Sequence, residues 1–285
     1  MRKLFTLLLV LSGLHGFAQT TPSTESDPAG TLPTFSALEK LNSSALEDIS
    51  KDEVFRKNIL KINLSSLALS NYSLSYERSL TRKITFVAGY SFLPKTNATS
   101  IPLVDRGLDE FADEDDDIID QLQSATIANK SYTGEIRFYT GKKPGARGFY
   151  LSLYGRYMDL DATYVHDYDT DFNTYTIPIG GNIKGYGGGL MIGSQWLIAK
   201  RVTFDWYIMG GHYGKMKVDL TGTADLSTMT PQERRDLEED IESINDDLPG
   251  NSTIDATVTN TGVSVKGNGP FAGIRGLGFN LGIAF

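Results

Sequence analysis

From Ile59 onward, hydrophobic and polar positions alternate residue by residue, the period of a β-strand with two unlike faces. Leu60, Ile62 and Leu64 alternate with Lys61, Asn63 and Ser65, and Tyr72, Leu74 and Tyr76 alternate with Ser73, Ser75 and Glu77. The pattern recurs at Ile84–Phe92 and Thr133–Phe138, and again at Phe149–Tyr157 and Tyr186–Trp196. Val202–Ile208 and Leu277–Phe285 complete eight predicted strands. Several have the roughly nine to eleven residues that a tilted membrane strand requires. The polar face is rich in glycine and small hydroxyls, which suits a narrow barrel interior better than an open surface.

Connection lengths alternate as well. Ser79–Lys83, Gly141–Arg147 and Ala199–Arg201 are short, whereas 94–130, 159–182 and 217–270 are long. Short turns at one end and long loops at the other are the habit of outer-membrane barrels. Charge is sorted the same way. The three long stretches hold 25 of the 35 acids but only 7 of the 27 bases, while the short turns carry Arg82, Lys83, Lys142, Lys143, Arg147, Lys200 and Arg201. The expectation is an all-β, eight-stranded antiparallel transmembrane barrel over 59–285, with long acidic surface loops and short basic periplasmic turns.

Composition narrows the field further. The chain has 285 residues, no cysteine and a net charge of −8. The missing cysteine excludes disulfides, thiolate nucleophiles and cysteine-ligated metal, and the acidity argues against nucleic acid as a partner. At the start, the basic Met1-Arg2-Lys3, the short apolar run Leu4–Leu14 and the small residues Gly16 and Ala18 form a signal-peptide pattern, with a cut predicted before Gln19. Residues 1–18 are therefore expected to be removed. Residues 19–58 are expected to form a periplasmic segment with a short amphipathic helix built on Phe35, Leu38, Leu41, Ala45 and Ile49.

The chain ends on the alternating run Phe279, Leu281, Ile283, Phe285. In this feature it resembles the small eight-stranded outer-membrane barrels of the OmpA, OmpX and OmpW type. The stretch from Lys61–Leu64 through Tyr76-Glu77-Arg78 to Gly89-Tyr90 also resembles an outer-membrane barrel family of unassigned function. The resemblance implies that the terminal run is an assembly signal read by the barrel-assembly machinery. It departs from the usual signal at Asn280, where glycine is customary. It also implies residence in the cell outer membrane, with lipid as the surrounding partner.

Candidate chemistry is sparse. His166 and His212 are the histidines left after leader removal, and His212 is expected at the outer rim of strand seven. No serine stands in a G-x-S-x-G or S-x-x-K context. Gly267–Ala272 matches a dinucleotide string but opens no helix, so it lacks the required context. Asp167, Asp169 and Asp171 have the first spacings of a calcium loop, without the glycine at position six or the glutamate at position twelve. They are the candidates for a weak divalent cation site, and no other cofactor is expected. Thr230-Pro231-Gln232-Glu233 predicts a capped helix with the apolar stripe Leu237, Ile241 and Ile244. Lys61, Arg137 and Arg156 against Glu77, Glu135 and Asp205 are assigned to the inward face as an interior charge network. The expected role is non-enzymatic, structural or interacting with an envelope or extracellular partner through the acidic loops. The alternatives are a narrow transport barrel for small or apolar solutes and a surface lipid-modifying enzyme that uses His212.

Overall fold

The computed structural model describes residues 55–67, 69–101, 124–170, 173–248 and 250–285. The expected leader, its cleavage site and the amphipathic helix before residue 50 lie outside the described residues. The elements run β1 (Asn58–Asn63), α1 (Leu64–Leu67), β2 (Tyr72–Ser79), β3 (Ile84–Asn97), β4 (Thr126–Tyr139), β5 (Gly148–Asp169), β6 (Thr174–Ile198) and β7 (Val202–Thr223). They continue with α2 (Pro231–Glu242), β8 (Thr253–Thr259), β9 (Gly262–Pro270) and β10 (Gly273–Ala284).

Each strand pairs antiparallel with the next from β1 to β7, and β10 pairs with both β7 and β1, so the sheet closes on itself. The ring has eight strands, as the alternation predicts. β9 is the upward continuation of β10, pairing with the upper half of β7, and β8 folds back on β9 as a hairpin outside the ring. The short basic turns gather at one end with the chain terminus, where Phe285 and Asn58 exchange backbone hydrogen bonds.

The wall is uneven in height. β1 and β2 are six and eight residues long, whereas β5, β6 and β7 have 22, 25 and 22. Much of the sequence expected to be loop is therefore strand. The stretch 159–182 is the top of the β5–β6 hairpin, paired from Asp159↔Lys184 to Asp169↔Thr174, and 217–223 extends β7.

The physical reason is an inversion of polarity along a strand that keeps its parity. In the lower half of β5, Phe149, Leu151 and Leu153 point outward and are exposed, while Tyr150, Ser152 and Arg156 point inward and are buried. In the upper half, Asp161, Thr163 and Asp167 point outward, and Leu160, Ala162 and Tyr164 are buried. β7 changes in the same way, from exposed Met209 and Tyr213 below to outward Lys215, Lys217 and Asp219 above, with Met216, Val218 and Leu220 turned inward. Below the change the barrel is apolar outside and polar inside. Above it the same sheet has the ordinary apolar-in, polar-out arrangement of protein in water.

A row of tyrosines marks the boundary. Tyr90, Tyr132, Tyr157 and Tyr186 are cross-strand neighbours in register. The next outward row is Lys130, Asp159, Lys184 and Lys217. At the lower margin Trp196, Phe204, Trp206 and Phe279 form a second aromatic band, with ring centroids 5.7 to 6.1 Å apart. Phe149 to Tyr157 spans the interval between the bands, which at about 3.4 Å per residue and a tilt near 40° gives an apolar belt about 21 Å tall.

Above the belt the tall wall encloses a hydrophobic core of Leu160, Ile177, Ile179, Val218, Leu220, Val263 and Val265, onto which α2 places Leu237 and Ile241. α2 is held at its start by the predicted cap. The Thr230 side chain accepts from the Glu233 N–H, and the Glu233 carboxylate accepts from the Thr230 N–H at 2.7 Å.

Candidate functional site

All six side chains of the predicted interior charge network face the lumen below this core, and ion pairs join five of them, with Arg156 left outside the pairing. Lys61, Glu77, Glu135, Arg137, Arg156 and Asp205 are each 7% exposed or less. Asp205 is the hub. It lies 2.7 Å from the Lys61 ammonium and 2.7 Å from the Arg137 guanidinium, and accepts from the Tyr150 hydroxyl at 2.9 Å and from Asn280 at 3.3 Å. Glu77 pairs with Lys61 and, at 3.7 Å, with Arg137; it accepts from the hydroxyls of Thr85 and Tyr139 at 2.5 and 2.8 Å. Glu135 contacts Arg137 at 2.8 Å. The Arg137 guanidinium also lies 4.4 Å from the centre of the Tyr150 ring.

Alternation explains why these residues meet. Each sits at an inward position of a different strand or two residues further along the same strand, so closing the ring turns a linear pattern into a cluster. Such a cluster is tolerated out of water because each carboxylate has two or more donors. Gln195 adds a link to the floor, donating to the Ala146 carbonyl at 2.7 Å and accepting from Lys61.

One placement differs from the sequence expectation, and one inward charge was not singled out there. His212 is inward and 8% exposed, and it is not at the rim because β7 continues to Thr223. β7 skips Ile208 in its pairing with β6, which reverses the parity of everything after it. His212 Nδ1 is 3.1 Å from the Tyr154 hydroxyl, and its ring centroid is 4.7 Å from that of Phe271. Arg275 is a further inward cation that the alternation of the last strand assigns outward. Leu277 adopts a left-handed φ of 52° and is skipped in the β10–β7 register, so Arg275 turns inward to lie 3.6 Å from Glu135 and over the rings of Tyr154 and Tyr207. The available signal was Arg275 itself, a charge amid an otherwise apolar face.

Phe279, Leu281, Ile283 and Phe285 occupy the outward face of β10, with Leu281, Ile283 and Phe285 exposed. Asp167 and Asp169 lie on the outer face of the β5–β6 hairpin, where each accepts from a threonine of β6, Thr176 and Thr174 respectively, at 2.6 Å. Asp171 lies outside the described residues. Among the described residues no three metal-ligating side chains converge.

No known family's sequence model matches the chain, and no curated protein matches it. Among solved structures it is similar to the translocator domain of the autotransporter NalP from Neisseria meningitidis, at 9% identity, with 88% of this chain and 97% of that chain covered and a TM-score of 0.28. The fold rests on the closed sheet itself: all-β, eight antiparallel strands in the ring, apolar on the outside of its lower half.

Proposed function

We propose that the chain is an outer-membrane barrel with a sealed lumen, and that its role is structural or interacting, carried by the folded β-layer that rises above the membrane. The observation that supports this reading most is the closure of the interior at both its floor and its mouth. The floor is crossed by the network around Asp205, and the mouth is packed with the apolar side chains of β5, β6, β7 and β9. An eight-stranded ring leaves room for side chains and little else. The belt between the aromatic bands supplies the surface that lipid requires, and the polar outer face of the upper sheet, where aspartates and lysines are mixed, is what a partner would meet. His212 faces Tyr154 and Phe271 inside the wall, a placement that supports a packing role over a surface active site.

The test is protease treatment of intact cells, with cut sites mapped by mass spectrometry. Cuts within 102–123 and near 170–173, and none in the short basic turns, are the expected result. Cleavage that begins only after the outer membrane is permeabilised would remove the surface-interaction reading.

A further inference from the structure

Among the described residues, charge on the inward faces of the strands does not balance. The inward faces of the strands carry four cations, Lys61, Arg137, Arg156 and Arg275, against three anions, Glu77, Glu135 and Asp205. Glu77 and Asp205 are taken up by Lys61 and Arg137, and Glu135 is divided between Arg137 and Arg275. Arg156 has no carboxylate partner among the described residues. It is 7% exposed, its Nη2 reaches the Ser131 hydroxyl at 3.5 Å, and its Nε has no hydrogen-bond partner.

Other unfilled donors share this compartment. Among the described residues Arg275 Nη1 has no hydrogen-bond acceptor, and its nearest carboxylate is that of Glu135 at 3.6 Å. His212 directs Nδ1 at the Tyr154 hydroxyl and leaves Nε2 unsatisfied. Arg275 lies 5.2 Å from the centre of the Tyr154 ring, the Tyr154 hydroxyl is 3.1 Å from His212 Nδ1, and Arg156 is the next inward residue after Tyr154 on β5, so the three groups meet around Tyr154. Phe271 roofs it, its ring tilted 49° to that of His212 and lying against Gly185, where a side-chain carbon would fall 2.6 Å from the ring.

A guanidinium stays charged in any protein environment, and burying it without a counter-charge costs several kcal/mol. Water can meet its donors but leaves the charge uncancelled. We infer that the space bounded by Arg156, Arg275, His212 and Tyr154 is a binding site for one small monovalent anion, of halide or carboxylate size. An anion there balances the charges of the described inward residues and supplies an acceptor for Arg156 Nε, Arg275 Nη1 and His212 Nε2. The inference goes beyond the surface role proposed above and depends only on which side chains face the lumen.

The test uses the full chain refolded in detergent micelles, unfolded by heat in sodium bromide, sodium formate or sodium gluconate at equal ionic strength. Gluconate is the bulky reference anion. Bromide, formate or both should raise the midpoint relative to gluconate. At saturation each tenfold increase in the free anion should raise the folded-to-unfolded ratio about tenfold. Arg156→Met and Arg275→Met should each weaken that dependence, so the result does not hang on one variant's folding. Crystals grown in bromide should show an anomalous peak beside Arg156 Nε. A preference for formate alone would assign the site to carboxylates. Equal stability in all three salts, an unchanged dependence in both variants, or bromide peaks confined to the outer surface (an adventitious ion only) would overturn the site.

Discussion

Glycine serves two separate purposes in this wall, and the distinction can be tested at single residues. At Gly278 a side-chain carbon would stand 1.7 Å from the Tyr207 ring, so the missing side chain is what lets that tyrosine cross the lumen beside Arg275. At Gly134, which faces outward beside Ala88 and Gly155, the same atom would meet nothing within 4 Å. Gly278→Ala should therefore prevent refolding or cost several kcal/mol, since the contact is with a buried ring. Gly134→Ala should be neutral or stabilise by about 0.4–1 kcal/mol through the unfolded chain. Denaturant titration of the two refolded variants measures both, and equal losses would mean that the inward and outward assignments are wrong. Individual residues also show where the linear pattern stops being a guide. The six predicted network charges all face inward because they lie on regular stretches of strand. The inward facing of Arg275 and His212 is hidden from that pattern because each lies beyond a bulge, at Leu277 and at Ile208, and one extra residue reverses every later side chain.

Among the elements, α2 has a job that its amphipathic stripe does not disclose. The Glu238 and Glu242 carboxylates accept from the backbone N–H groups of Val258 and Ala256 at 2.7 and 2.9 Å, and Asn245 accepts from Ile254 at 2.6 Å. These are alternate residues along the free edge of β8, the edge that would otherwise be open to another strand. The helix thus covers the end of the sheet with side chains. Its own start depends on the Thr230–Glu233 box, in which the Thr230 N–H and hydroxyl hold the Glu233 carboxyl below its ordinary pKa. A carboxyl with a lowered folded pKa stabilises above its unfolded value, and that contribution is lost as pH falls through the folded one. Thr230→Ala should cost about 1 kcal/mol and speed amide exchange at Ile254, Ala256 and Val258, with the β10 amides unchanged. Acidification through the Glu233 titration should move the same amides in the same direction. Exchange that accelerates equally in β10 would show that α2 does not guard this edge in particular. The helix itself was legible from its cap and stripe, whereas its partner strand was not, because β8 carries few large apolar residues and lies within an acidic stretch.

For the whole molecule, the decisive property is that one continuous sheet has an apolar outer face in its lower half and a polar one in its upper half. The lower ring was legible because its outward face is strongly apolar. The upper sheet was read as loop because Asp161, Asp167 and Asp219 made that face polar, although Leu160, Ala162 and Tyr164 kept the period of two without interruption. Periodicity reports the strand, and polarity reports only what lies beside it. The account therefore stands on where the outer face leaves lipid. The chain contains no cysteine, so single cysteines can be placed at Leu151, Leu153, Tyr157, Asp161 and Thr163 of β5, nitroxide-labelled, and read in proteoliposomes for contact with oxygen and with a water-soluble nickel chelate. Labels at 151 and 153 should favour oxygen, 157 should lie at the crossover, and 161 and 163 should favour nickel. Nickel access along the whole strand would contradict the account and make this a barrel that does not enter the membrane.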